Sequence, residues 1–140
     1  MSRFGQLAKI RHHAVEALQK ELEEVNAEIR LKTEALTRLN DEFENADRPQ
    51  EGTIREYAGH QITLRIYRRQ MGEMGEEILR LRQWAAQIRK RLKTALIEYE
   101  KMNHLDKEAQ AQLIALVKKL DTQRTEEAAL NGYHLHHKGA

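Results

Sequence analysis

The sequence predicts an all-α protein: a long two-helix antiparallel coiled coil whose second helix is longer and overhangs the first. Three observations predict it. Two runs of apolar residues keep strict seven-residue spacing, one Pro/Gly break separates them, and the two runs carry opposite charge. A seven-residue repeat sustained over many turns implies a left-handed seam between helices rather than an ordinary amphipathic surface. The 140 residues include one proline, 5% aromatic and 33% charged residues, and 40% hydrophobic residues by a count that includes alanine. So few large apolar side chains cannot fill a compact core, but they suffice to bury a seam.

Helix 1 is expected over residues 2–46. With a at Ala8, Val15, Leu22, Ile29, Leu36 and Phe43, the d positions are Phe4, Arg11, Leu18, Val25, Lys32, Leu39 and Ala46. Arg11 and Lys32 can cross the seam with their aliphatic stems and keep their charges in water. Such a helix is amphipathic and unstable alone.

The stretch Asp47-Arg48-Pro49-Gln50-Glu51-Gly52 holds the only proline, so residues 47–52 are read as a turn. Thr53 then suits the N-cap of helix 2, with Glu56 three residues on completing a capping box. A turn this short sets the helices antiparallel.

Helix 2 is expected over residues 53–131. Its a positions are Tyr57, Leu64, Met71, Ile78, Ala85, Leu92, Tyr99, Asp106, Leu113 and Leu120. Its d positions are His60, Tyr67, Met74, Leu81, Ile88, Ala95, Met102, Ala109 and Leu116. Only His60 and Asp106 are strongly polar. Aligning a with d across the turn sets Leu36 on Tyr67, Ile29 on Met74, Leu22 on Leu81, Val15 on Ile88 and Phe4 on Tyr99.

In that register helix 1 runs out opposite Met102, while helix 2 meets no stop signal before Asn131-Gly132, a C-terminal cap pattern. Nearly 30 residues then overhang, about 40 Å at the helical rise. Leu113, Ile114, Leu116, Val117 and Leu120 form an apolar stripe there with no partner in the hairpin. Two readings are open: a binding surface, or a bend near Asn103 that folds the segment back as a third helix. Residues 132–140 read as a mobile tail in which His134, His136 and His137 do not form a designed metal site.

Charge bears on the pairing. Residues 16–51 hold 11 acidic and 5 basic residues, net −6, and residues 65–93 hold 9 basic and 3 acidic, net +6. We read these as seam-flanking charges that fix register. The alternative, a nucleic-acid footprint, lacks interleaved aromatic residues, and the whole chain carries only +2. Near the turn, Tyr57, Tyr67, Met71 and Met74, with Gly72 and Gly75, form either seam packing or a partner-docking patch.

Catalytic motifs are lacking: there is no P-loop, dinucleotide fingerprint, HExxH or nucleophile elbow. Paired carboxylates such as Glu23-Glu24 and Glu126-Glu127 sit among solvated charges, and the adjacent His12 and His13 point to different parts of a helix surface. The expectation is a non-enzyme without cofactor, catalytic residue or metal. No run of about 18 apolar residues spans a membrane, no signal peptide opens the chain, and no cysteine offers thiol chemistry. A soluble, cytosolic protein is expected.

The stretch Ile97-Glu98-Tyr99-Glu100-Lys101-Met102-Asn103-His104-Leu105, with its glutamate, lysine, leucine pattern, precedes the acidic, Ala-rich stretch Asp121-Thr122-Gln123-Arg124-Thr125-Glu126-Glu127-Ala128-Ala129. With the short first helix, the Pro/Gly break and the longer second helix, the chain resembles the flagellar FliJ family, relatives of the YscO-type proteins of virulence type III secretion. The family's Asp-Glu pair near the end is matched only loosely by residues 121–127. The resemblance implies a stalk-like coiled coil that binds the hexameric export ATPase and its regulator, contacts the membrane export gate and handles empty export chaperones. It also implies a place at the cytoplasmic face of the inner membrane without direct membrane insertion. By this analogy Leu113, Ile114, Leu116, Val117 and Leu120, with the N-terminus, enter the ATPase ring, and Tyr57, Tyr67, Met71 and Met74 meet the gate. The chain is expected to be a monomer or weak homodimer; a homodimeric structural adaptor, its two overhangs paired through Leu113, Leu116 and Leu120, is the other class of reading, and a virulence-system stalk is a variant of the first.

Overall fold

The computed structural model describes residues 2–46 and 52–138, with side chains through Tyr133. Two helices account for nearly all of it: α1 (Arg3–Glu44) and α2 (Ile54–Lys138). They pack against each other as a helical hairpin, and no strand occurs among the described residues. The predicted turn lies outside the described residues except for Gly52. Thr53 caps α2 as expected: its Oγ1 accepts the Glu56 N–H at 3.4 Å, and its carbonyl accepts the N–H groups of Glu56 and Tyr57.

The heptad reading holds along the seam. Every a and d residue of α2 from His60 to Ala109 is buried or half-buried, and on α1 only Arg11 among the assigned positions is exposed. The chain divides into two compact units, Val15–Thr94 and Met1–Ala14 with Ala95–Ala140.

In the Val15–Thr94 unit, Val25, Ala85 and the fully buried Ile88 form the core, with Leu18, Leu22, Ile29, Leu81 and Trp84 packed around them. The Phe43 and Tyr67 rings meet edge-on at 6.3 Å, and the Arg68 guanidinium lies over Phe43. This contact corrects the expected register. Phe43, not Leu36, faces Tyr67, and the same one-heptad displacement along α1 shifts the layers expected for Met74, Leu81 and Ile88. A strict heptad seam matches itself after a seven-residue slip, so apolar spacing alone cannot choose between the two registers. Polar contacts can. Lys32 Nζ donates to Glu77 Oε2 at 2.7 Å, a pair the expected register would have replaced by Lys32 on Met71.

The ion pairs across the seam run against the net charge of the two stretches. Lys32–Glu77 sets a base on α1 against an acid on α2, and so does Arg11–Glu98 at 3.0 Å in the other unit. The acidic residues of α1 and the basic residues of α2 mostly remain on exposed faces.

The hydrogen bond from Lys32, reinforced by its charge, holds the Glu77 carboxyl below its ordinary value and the Lys32 ammonium above its own. A lowered carboxyl stabilises the fold above its unfolded pKa and loses that contribution as pH falls through the folded value. A raised amine contributes below its unfolded pKa and loses it as pH rises through the folded value. The pair therefore acts across the neutral range. A Glu77→Gln variant is expected to melt slightly below the parent at neutral pH, and the gap is expected to close under acid titration and in high salt, as followed by circular dichroism.

In the other unit the His12 ring lies 5.1 Å from Tyr99, so His12 rather than Phe4 is its neighbour, again about one heptad along. Ser2 caps α1: its Oγ accepts the Gly5 N–H at 3.2 Å and donates to the Asp106 carboxylate. Asp106 also accepts from Gln110 Nε2 at 3.1 Å. A carboxylate beside a helix N-terminus is favoured by the helix dipole, which accounts for an acid at a seam position. Gly5 makes the approach possible, since a Cβ there would stand 3.0 Å from Asp106 Oδ1.

Of the two readings of the end of α2 the bend is excluded, and the expected helix end is corrected. The helix runs through Asn103, so the segment does not fold back as a third helix. It also continues through Asn131-Gly132 to Lys138, where a stop was expected. A glycine cap ends a helix by adopting a left-handed conformation, and no described glycine has positive φ. No proline follows to enforce a stop, so Gly132 costs helix propensity without ending the helix.

Candidate partner-binding surface

The seam positions of α2 continue past the point where α1 ends. Ser2 shares a groove of about 310 Å³ with Ala109, Gln110 and Leu113. Beyond it every residue from 111 to 133 is exposed. The register correction thus moves the start of the unaccompanied helix from Met102 to about Gln110, and the later end of α2 lengthens it again.

Leu113, Ile114, Leu116, Val117 and Leu120 all lie here, between 45% and 61% exposed. Leu113, Leu116, Val117 and Leu120 follow i, i+3, i+4, i+7 spacing and share one face, with Ile114 beside it. The face is about 10 Å long at the helical rise. Seam positions 123 and 127 are then Gln and Glu, and apolar side chains return at Leu130 and Tyr133, both exposed. An apolar face of this width is suited to covering by a partner. Among the described residues no cluster of His, Asp or Glu is placed to hold a metal ion.

The residues expected to form a patch near the turn are placed differently from one another. Tyr57 is 47% exposed. Tyr67, Met71 and Met74 are half-buried in the seam, Tyr67 against Phe43 and Met74 in a groove with Ala35, Leu39 and Gln70. The apolar residues that do face outward at this end are Ile54, Ile62 and Ile66, each more than half exposed. With Ala58 they make a row at intervals of four on α2. Sequence reasoning missed this row because it followed the seven-residue seam and passed over the opposite face. It missed Ser2, Gly5 and Asp106 likewise, although the polar a position was their signal.

A family model described as Flagellar FliJ protein matches residues 1–138. Comparison with curated proteins gives no match, and comparison with solved structures gives none. The family match takes in both helices, the corrected seam and the exposed stripe, and on that extent the chain belongs to the flagellar FliJ family.

Proposed function

We propose that this protein is a non-catalytic rod of the flagellar type III export apparatus, which binds the hexameric export ATPase through the exposed end of α2 and promotes its assembly and activity. Family membership supports a role in flagellar export. The observation that carries the finer reading is the stripe Leu113, Ile114, Leu116, Val117 and Leu120, exposed at seam positions where α1 no longer accompanies α2. A rod acts on an enzyme only by binding its assembled or active state better than the alternative. Apolar residues on a helix free of its own partner supply such differential contact.

Contact with the membrane export gate is assigned to the end near the turn, where exposed Ile54, Ile62 and Ile66 join the earlier candidates Tyr57, Tyr67, Met71 and Met74. Binding of the ATPase regulator and of empty export chaperones, and a peripheral place at the cytoplasmic face of the inner membrane, belong to the same proposal. No helix among the described residues is long and apolar enough to cross a membrane.

Hydrolysis by a flagellar export ATPase, titrated with the protein, is the test. Stimulation is expected from the parent, and a fall to the basal rate from a variant with Leu113, Leu116 and Leu120 changed to Ser, while circular dichroism shows it still helical. Truncation belongs after Gln110, not after Asn103, because the earlier cut would remove the Asp106 partner of Ser2. Full stimulation by the truncated protein would sink the proposal. The a, d, a spacing of Leu113, Leu116 and Leu120 also suits a second copy of the same helix. Sedimentation of a dimer that the same three serines dissociate, with no ATPase stimulation, would favour that structural adaptor.

A further inference from the structure

Residues 78–97 carry six basic side chains and no acidic one. All six, Arg80, Arg82, Arg89, Lys90, Arg91 and Lys93, are exposed, and none makes an ion pair among the described residues. Arg80, Trp84, Gln87 and Arg91 are spaced i, i+4, i+7, i+11 and so share one face of α2. Trp84 is half-buried, and the Arg91 guanidinium lies 5.2 Å from its ring centre. Beside it opens a groove of about 420 Å³ lined by Glu28, Lys32, Glu77, Arg80, Leu81 and Trp84. An indole and two guanidiniums without an ion pair, next to a groove with an apolar wall, are the side chains that most often carry binding energy at protein interfaces.

We propose that this face docks an acidic amphipathic helix of a partner protein, with an apolar residue seated beside Trp84 and carboxylates facing Arg80 and Arg91. The two arginines lie about three turns apart, a span that carboxylates on one face of a single helix can match. The acids in the groove oppose this charge in part: Glu77 is hydrogen-bonded to Lys32 and also feels the Arg80 charge, and Glu28 lines the same groove.

The width of the basic strip selects the occupant. Across the seam α1 exposes Glu23, Glu24, Glu28 and Glu34, and packed helices lie only about 8–10 Å apart. The strip is thus one helix wide. A nucleic-acid duplex, with phosphates on both sides of a groove about 12 Å wide, would set part of its backbone on those glutamates. A bilayer would need a row of apolar side chains on this face, and Gln83, Gln87 and Lys90 stand there instead.

Trp84 is the only tryptophan, so its emission reports on this site alone. The probe is a synthetic helical peptide of leucine, alanine and glutamate, compared with its lysine counterpart, a short DNA duplex and phosphatidylglycerol vesicles. The acidic peptide is expected to shift Trp84 emission saturably and to bind at least tenfold more weakly to an Arg80→Glu/Arg91→Glu variant that keeps its helical circular dichroism. An Arg82→Glu/Lys93→Glu variant has the same net charge, altered off this face, and is expected to stay within threefold of the parent. Equal losses in the two variants, equal binding of the lysine peptide, or tighter binding of the duplex or the vesicles would each overturn the proposal. The face belongs to the Val15–Thr94 unit and does not use the exposed stripe, so ATPase stimulation can fail without touching this result.

Discussion

Changing Ile88 to alanine is expected to lower the stability of the protein by about 3 kcal/mol, the largest loss of any single truncation of a seam side chain. Ile88 is fully buried at a d position, and Val25, Ala85, Leu22 and Leu81 belong to the cluster around it. A narrow seam has no second layer of side chains to move into the space left behind. The lost methylenes therefore add to a cavity that relaxes little. Urea unfolding followed by circular dichroism measures the effect. Leu113→Ala provides the comparison: Leu113 is 61% exposed at an a position of the same seam, and its truncation is expected to change stability by less than about 0.5 kcal/mol. Similar losses at both sites would mean that the exposed stripe is covered in solution.

A gain of about 1–2 kcal/mol is expected when Gly59 and Gly72 are both changed to alanine. Each lies inside α2 with negative φ, and an added Cβ would meet no atom within 4 Å at either. Glycine lowers helix stability by roughly 1 kcal/mol relative to alanine through the freedom it keeps in the unfolded chain. The sites are thirteen residues apart, so their effects should nearly add. A rise of several degrees in the melting temperature would confirm the gain. Gly5 supplies the contrast, since alanine there would press on the Asp106 carboxylate and is expected to destabilise.

These two experiments also mark what the sequence could and could not tell. The pairing of a and d residues was legible from spacing alone, because burial of one stripe per helix follows from the heptad, and Ile88 and Ala85 fell where it placed them. The register was not, because Leu36 and Phe43 are equivalent under a seven-residue slip and only Lys32–Glu77, Arg11–Glu98 and Ser2–Asp106 tell them apart. The apolar residues from Leu113 to Leu120 were legible as a stripe without a partner, and they remain so. What escaped was chemistry off the seam. Ile54, Ile62 and Ile66 repeat at multiples of four on the outer face, and Arg80, Trp84 and Arg91 were absorbed into a reading of flanking charge. The end of α2 was misplaced because Asn131-Gly132 permits a cap without enforcing one.

The contact between Ser2 and Asp106 also bears on how the chain finds its register. It joins residues 104 apart in sequence, against 45 for Lys32 and Glu77, so a hairpin that closes from its turn forms the Lys32 contact early and the Ser2 contact last. A chain that zips one heptad out of step would keep its apolar layers but lose the Lys32–Glu77 pair at an early stage. It would then reach Asp106 with no residue of α1 left to meet it. The last contact thus checks the register a second time, and an Asp106→Ala chain would rely on Lys32–Glu77 and Arg11–Glu98 alone to discard a slipped hairpin.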